Sequence, residues 1–168
     1  MKVGIYGGSF DPVHYGHVNI AKTAVADLGL DRLVVVPAAV SPFKVGAEGA
    51  VGFSPEMRLA LVRAAFADVA GAEVDDCELR RGGVSYAIDT VRAVAAEHPG
   101  AELFFIVGED SVAGLPHWKD YGELAQLCRF VAYPRTRESS TEIRRRLAAG
   151  EPIDDLVPPA VAERLRTL

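Results

Sequence analysis

The stretch that most constrains the fold is KVGIYGGSFDPVHYGHVNI at residues 2–20, an apolar run that breaks into a glycine-rich turn and resumes as a helix. Val3 and Ile5 belong to a run short enough for a buried strand, and Gly7-Gly8 let the backbone turn and approach a ligand closely. Ser9 and Asp11 follow on the turn, and Gly16 separates His14 from His17. From about Tyr15 the apolar positions Val18, Ala21, Val25 and Leu28 recur at helical spacing. A strand therefore feeds a loop that opens a helix. In parallel α/β proteins that junction lies at the carboxyl end of the sheet, where backbone N–H groups and the positive end of the helix dipole collect anions. The run lacks G-x-G-x-x-G and G-K-[ST], which excludes the dinucleotide fingerprint and the P-loop. Two histidines fill only half of a tetrahedral zinc site, and no Cys/His cluster completes it.

The same alternation continues downstream. Arg32 to Pro37 reads as a second buried parallel strand, and the period-free stretch from Ala38 to Phe53 as a mobile loop holding Lys44. Ser54-Pro55 caps and opens an amphipathic helix carrying Met57, Leu61, Val62 and Phe66. Glu73 to Arg80 alternates weakly and reads as a strand; Ser85 reads as the cap of a helix through about Glu97. Leu103 to Val107 is a buried strand that Gly108-Glu109-Asp110-Ser111 turns directly into a helix. Leu115 to Leu127 is helical in pattern but broken by Pro116 and Gly122, with Trp118 beside the break. A short strand from Arg129 to Tyr133 follows. Ser139 and Glu142 have the spacing of a capping box for a helix ended by Gly150, and Pro158-Pro159 opens a last short one. Strands alternating with helices predict a three-layer α/β/α domain with a doubly wound, mostly parallel sheet and ligands across its carboxyl edge.

A chain of 168 residues, 49% of them hydrophobic, suits one domain over 1–168 with a single core. No apolar run approaches the ~20 residues of a membrane span and the start shows no signal peptide, so a soluble, cytoplasmic protein is expected. Cys77 and Cys128 lie far apart and outside any C-x-x-C, which makes reduced packing residues the expectation. A net charge of -5 argues against general nucleic-acid binding, while a local cluster such as Arg135, Arg137 and Arg144 to Arg146 can still hold a small anion. The sequence leaves a homo-oligomer open.

GGSFDPVHYGH resembles the [ST]-x-G-H / H-x-G-H signature of the nucleotidylyltransferase superfamily, and its GGSFDP half is similar to the nicotinate-nucleotide adenylyltransferase branch. The resemblance recurs in order along most of the chain. Ser41-Pro42-Phe43-Lys44 falls where that family has P-P-H-[KR], and Glu78 and Arg81, followed by SYAIDT from Ser85, match E-x-x-R and S-Y-T-x-x-T. Ile106 to Leu115 resembles I-x-G-x-D-[SA], with Trp118 at its expected place, and SSTEIRRRL from Ser139 resembles I-S-[SA]-T-x-[IL]-R. The departures are Phe43 for histidine, Ala87 for threonine, Lys119 where many members have tyrosine, Glu138 at the first position of the last signature, and a segment before Ser139 shortened to Thr136 to Glu138.

The resemblance implies a Rossmann-like nucleotidylyltransferase fold and adenylyl transfer from ATP to nicotinate mononucleotide, giving deamido-NAD and pyrophosphate. By the same resemblance His14, His17, Lys44 and Arg144 are the catalytic candidates. ATP would meet Gly7, Gly8, Ser9, Phe10, His14 and His17 at the first turn, Gly108 and Asp110 at the second, and Ser139, Ser140, Thr141 and Arg144 in a phosphate-binding helical segment at 136–168. The acceptor would meet Lys44, Ser85, Tyr86, Ala87, Trp118 and Arg135. Mg2+ would ride on the triphosphate, because it favours oxygen ligands and seldom uses an all-protein cage. Asp110 reads equally as the N-cap of its helix, Ser85 as a cap before a ligand, and Arg145 and Arg146 as a solvated face. The alternatives are a sister enzyme acting on nicotinamide mononucleotide or phosphopantetheine, and a nucleotide-binding regulatory module without turnover.

Overall fold

A computed structural model describes residues 1–42 and 52–168. Phe43 and Lys44, and most of the expected loop between Ala38 and Phe53, lie outside the described residues. The chain runs β1 (Lys2–Gly8), α1 (Tyr15–Leu28), β2 (Arg32–Pro37), α2 (Pro55–Phe66), β3 (Ala72–Val74), α3 (Cys77–Arg81), α4 (Ala87–Glu97) and β4 (Glu102–Gly108). A 3₁₀ helix (Glu109–His117), α5 (Tyr121–Leu127), β5 (Arg129–Tyr133), α6 (Ser140–Ala149) and α7 (Pro159–Arg166) complete it.

The five strands pair in the order β3-β2-β1-β4-β5, every pair parallel. β1, β2 and β4 are near-continuous apolar runs because helices cover both of their faces. Val3, Ile5, Val34, Val36 and Phe105 face α4 and α5 through Ile88, Val91 and Leu124. Tyr6, Leu33, Val35, Phe104 and Ile106 share the opposite core with α1, α2, α6 and α7. Because the chain leaves β1 toward β2 on one side and returns to β4 on the other, a crevice opens between the carboxyl ends of β1 and β4, where such folds bind ligands. No helix among the described residues is long and apolar enough to cross a membrane, and both cysteines are free.

Five local expectations are corrected. The strand expected over Glu73 to Arg80 stops at Val74: the Cys77 N–H donates to Asp75 Oδ1 at 2.9 Å, and this local turn opens α3 instead. Ser85 is not the cap of α4; Tyr86 holds that place, and Ser85 Oγ accepts from the Ala39 N–H at 2.9 Å. Gly108 to Ser111 leads into a 3₁₀ rather than an α-helix, in keeping with Pro116, which has no N–H to give to an α ladder. The interruption that follows lies at Trp118 to Asp120, with Asp120 at φ 53, and leaves Gly122 inside α5. Only half of the capping box at α6 forms: Ser139 Oγ accepts from the Glu142 N–H at 3.0 Å, but the Glu142 carboxylate pairs with Arg145 and Arg146. Arg145 lies on an exposed face of α6, as expected, whereas Arg146 is half-buried and also bonds Pro152 O and Asp155.

Candidate active site

The first turn folds around its histidines. His14 is the N-cap of α1, and its backbone N–H donates to His17 Nδ1 at 3.0 Å. Since Nδ1 accepts, the neutral His17 ring carries its proton on Nε2. The two imidazoles stack with centroids 3.7 Å apart. Phe10 holds them from below, edge-on to His17 at 4.9 Å and to Tyr6 at 5.5 Å. Its φ of 47° is the left-handed conformation that side chains seldom adopt, and a local strain of this kind is what a packed aromatic anchor can sustain at a binding turn. At Gly7 and Gly8 a Cβ would meet its nearest neighbours only at 3.7 and 3.5 Å, so the room those glycines leave opens on the cleft. Gly16 differs, for a Cβ there would stand 2.1 Å from Thr136 Oγ1 and 2.9 Å from His14 Nδ1.

Burial sets the charge of this pair. His14 is pushed down to about 4 by burial, which the Glu138 carboxylate offsets only in part. His17 is pushed well below the usual imidazole range by burial and then by His14. Both rings are neutral at neutral pH. His14 Nδ1 is buried with no hydrogen-bond partner among the described residues. Because the unfolded chain protonates His14 near 6.5 while the folded chain resists until about 4, stability is fully present above about 6.5 and falls as pH drops through that window. Thermal melts from pH 7 to 4 should show His14→Gln losing less stability than the parent chain. Parallel curves would mean that His14 does not carry this linkage.

Three cavities share walls and form one cleft along the carboxyl edge of the sheet. The first holds His14, His17, Asp110, Arg135, Ser140 and Thr141. It shares Gly7, Gly8 and Gly108 with a central cavity that reaches Ala38, Glu78, Ser85 and Trp118. The central cavity shares Ser85 and Trp118 with a third, which adds Tyr86, Ala87, His117 and Lys119. α6 points its N-terminus at the histidine end, and the Ser140 hydroxyl donates to Pro12 O at 2.9 Å, fixing that helix to the turn. Arg144 stands one turn along; it donates to Asp11 O and to Thr141 Oγ1 at 3.4 Å and lies 3.9 Å from the Asp11 carboxylate. Arg135, expected beside the acceptor, is placed at the histidine end, 4.0 Å from Asp110. Asp110 is not the N-cap of its helix, since Gly108 occupies that place.

At the far end Trp118 packs edge-on against Phe105 and Phe130, with centroids 5.7 and 5.9 Å away. Lys119 Nζ lies 4.5 Å from the centre of the Tyr86 ring, at the start of α4. Between the ends, the buried Glu78 carboxyl is bonded by the Thr90 and Ser85 hydroxyls, yet burial dominates and pushes its pKa up. Sequence reasoning missed Arg58. It is only 6% exposed and donates to Ser9 O and Ala38 O at 2.7 Å, to Ala39 O at 3.2 Å and to Phe53 O at 3.3 Å. Its signal was legible: Arg58 lies in register with Leu61, Val62 and Ala65 on the apolar stripe of α2, where an unpaired charge has no place unless the fold uses it. The cleft as built offers neutral imidazole donors and a helix N-terminus for a polyanion at one end, and an aromatic wall with a cation at the other.

The sequence model of the Cytidylyltransferase-like family matches residues 5–146. A protein of Gemmatimonas aurantiaca named "Probable nicotinate-nucleotide adenylyltransferase" is 41% identical over 190 residues, covering 96% of this chain and 88% of that relative. Among solved structures, a protein of Vibrio parahaemolyticus superposes with a TM-score of 0.83 at 21% identity, covering 99% of each chain. The Plasmodium falciparum nicotinic acid mononucleotide adenylyltransferase complexed with NaAD superposes with a TM-score of 0.76 at 15% identity, covering 99% of this chain and 95% of its own. At these identities the superpositions speak for the fold.

Proposed function

Because the chain belongs to the cytidylyltransferase-like family, and within it to the nicotinate-nucleotide adenylyltransferases, we propose that it transfers the adenylyl group of ATP to nicotinate mononucleotide in the synthesis of NAD. The observation that carries this reading is the continuity of the cleft: the histidine end and the Trp118 end meet over Gly7, Gly8 and Gly108, at the crevice between β1 and β4. An oxygen of the acceptor's 5′-phosphate attacks the α-phosphorus of ATP, a new P–O bond forms, and the bond to the β-phosphate's bridging oxygen breaks to release pyrophosphate. The nucleophile is already an anion, so the protein has to position and neutralise, with no covalent intermediate. His17, through Nε2–H, and His14 serve the phosphates. Ser9 and the first turn of α6 bind oxygens by N–H groups, with 136–168 as the phosphate-binding segment of a single domain. Magnesium arrives as part of the ATP substrate. Lys44, carried over from the resemblance, is the catalytic candidate outside the described residues. A cytoplasmic setting suits both substrates.

Pyrophosphate release from ATP with each acceptor in turn, beside a no-acceptor control, tests the reaction. Turnover with none of nicotinate mononucleotide, nicotinamide mononucleotide and phosphopantetheine would leave a nucleotide-binding module. The acceptor carries a sharper expectation. The nicotinate carboxylate is an anion that the N–H groups opening α4 and the Lys119 ammonium can bind, whereas an uncharged amide gains less from them. One charge-assisted bond is worth at least ~1.4 kcal/mol, so kcat/KM should favour nicotinate over nicotinamide mononucleotide by roughly tenfold. Lys119→Met should shrink that ratio. A parent ratio near one, or favouring the amide, refutes the acceptor assignment and leaves adenylyl transfer standing.

A further inference from the structure

Arg58 brings its charge into the interior without any carboxylate within ion-pair distance among the described residues. Burial pushes the guanidinium pKa down, and the nearby charges of Asp11 and Glu56 resist that only in part. A buried cation is costly to keep, and it is kept here on four backbone carbonyls. Those carbonyls come from three segments that are far apart in sequence. Ser9 belongs to the turn beside the histidines, Ala38 and Ala39 to the exit of β2, and Phe53 to the approach to α2. The Ala38 N–H also donates to Gly8 O at 2.8 Å, and the Ala39 N–H donates to Ser85 Oγ. Ser85 in turn bonds Glu78. Phe53 is tied back to the turn because its N–H donates to Asp11 Oδ1 at 2.7 Å. That approach needs Gly52, where a Cβ would sit 1.6 Å from Asp11 Oδ2.

We propose that Arg58 is a positioning residue that sets the distance between the phosphate-binding turn of β1 and the wall of the central cavity at Ala38, and so between the two reacting phosphates. This rests on the two-substrate reading given above. The planar guanidinium is suited to the task, since its five N–H donors lie in one rigid plane and serve carbonyls on both sides at once. A lysine ammonium keeps the charge but concentrates its three donors at one point, and the two walls are then no longer held by one rigid group. What is lost is the mutual placement of substrates that still bind to their own walls. Such a loss falls on turnover rather than on either affinity, because the aligned geometry is needed only for reaction.

The test compares the parent chain with Arg58→Lys and Arg58→Gln, at temperatures well below each melting point. For Arg58→Lys, kcat should fall by about tenfold or more while KM for ATP and for the acceptor each move by less than about threefold. Arg58→Gln should fall at least as far. A lysine variant with unchanged kcat, or one whose KM values rise as far as kcat falls, overturns the proposal, whatever happens to its melting temperature. Amide exchange at Ala38 and Ala39 gives a readout that needs no turnover, and faster exchange in both variants is expected. If the parent releases no pyrophosphate with any acceptor, the functional reading fails by itself. The exchange rates then decide the scaffold role alone, unchanged rates sinking it.

Discussion

Replacing His17 by alanine is expected to lower kcat about a hundredfold, the effect of removing one preorganised donor worth about 3 kcal/mol to a transition state that redistributes phosphate charge. The geometry makes the donor specific. His17 Nδ1 is occupied by the His14 N–H, so only Nε2–H is left to act, and burial keeps the ring neutral before substrate binds. Two neutral, stacked rings cost the free protein no charge repulsion, and the phosphates, as charged acceptors, strengthen the bond each N–H makes when they arrive. ATP binding should weaken far less than turnover, because the donor faces charge that develops during transfer. Alanine also strips the His14 N–H of its acceptor, so part of any loss could come from a loosened start of α1. His17→Gln separates the two effects, since glutamine at this helical position can accept that N–H as in a capping box while supplying no imidazole. Both variants should lose turnover and only alanine should lose stability. Turnover within about threefold of the parent in His17→Ala and His14→Ala would remove the histidines from the mechanism.

The parts of the molecule that read correctly from sequence are those where local chemistry and tertiary demand agree. Val3 and Ile5 read as a buried strand, which in the structure runs on through the Gly7-Gly8 expected to turn, Ser54-Pro55 reads as a helix start, and the order of strands and helices leaves little but a doubly wound sheet. The errors fall where long-range contacts override local pattern. Glu73 to Arg80 alternates weakly enough to pass for a strand, but its Glu78 is drawn inside to Ser85 and to Thr90, 12 residues on, partners that lie outside the segment itself. Ser85 has the composition of a cap, yet its hydroxyl is taken by Ala39, 46 residues away. For Arg58 the place on the apolar stripe of α2 was readable, but its partners were not: they are backbone carbonyls, which carry no side-chain signature. The histidine end of the cleft, by contrast, was legible because a single eleven-residue string places Gly7, Gly8, Ser9, His14 and His17 along one strand-to-helix junction. The shortened segment at Thr136 to Glu138 had a readable length but not a readable consequence, which is that Thr136 Oγ1 crowds Gly16 and the Glu138 carboxylate acts on His14.

Arg144→Lys is expected to raise the KM for ATP about thirtyfold, the equivalent of losing about 2 kcal/mol from one charge-assisted hydrogen bond, while the KM for the acceptor stays within about twofold. The guanidinium stands one turn into α6, behind the N–H groups that open that helix onto the histidine cavity, and its side chain is a third exposed. Its present bonds, to Asp11 O and Thr141 Oγ1, hold the fork between the histidine turn and the helix. An ion pair this exposed contributes little to stability, so the lysine variant should melt with the parent and its kinetics can be read directly. Lysine retains the charge but not the planar pair of donors that meets two phosphate oxygens together, and the shortfall should appear on the triphosphate side alone. Varying each substrate at saturating levels of the other measures both constants. If the acceptor's KM rises instead, Arg144 serves the attacking phosphate, and the triphosphate must lie closer to Arg135 and Asp110, at the outer rim of the same cavity.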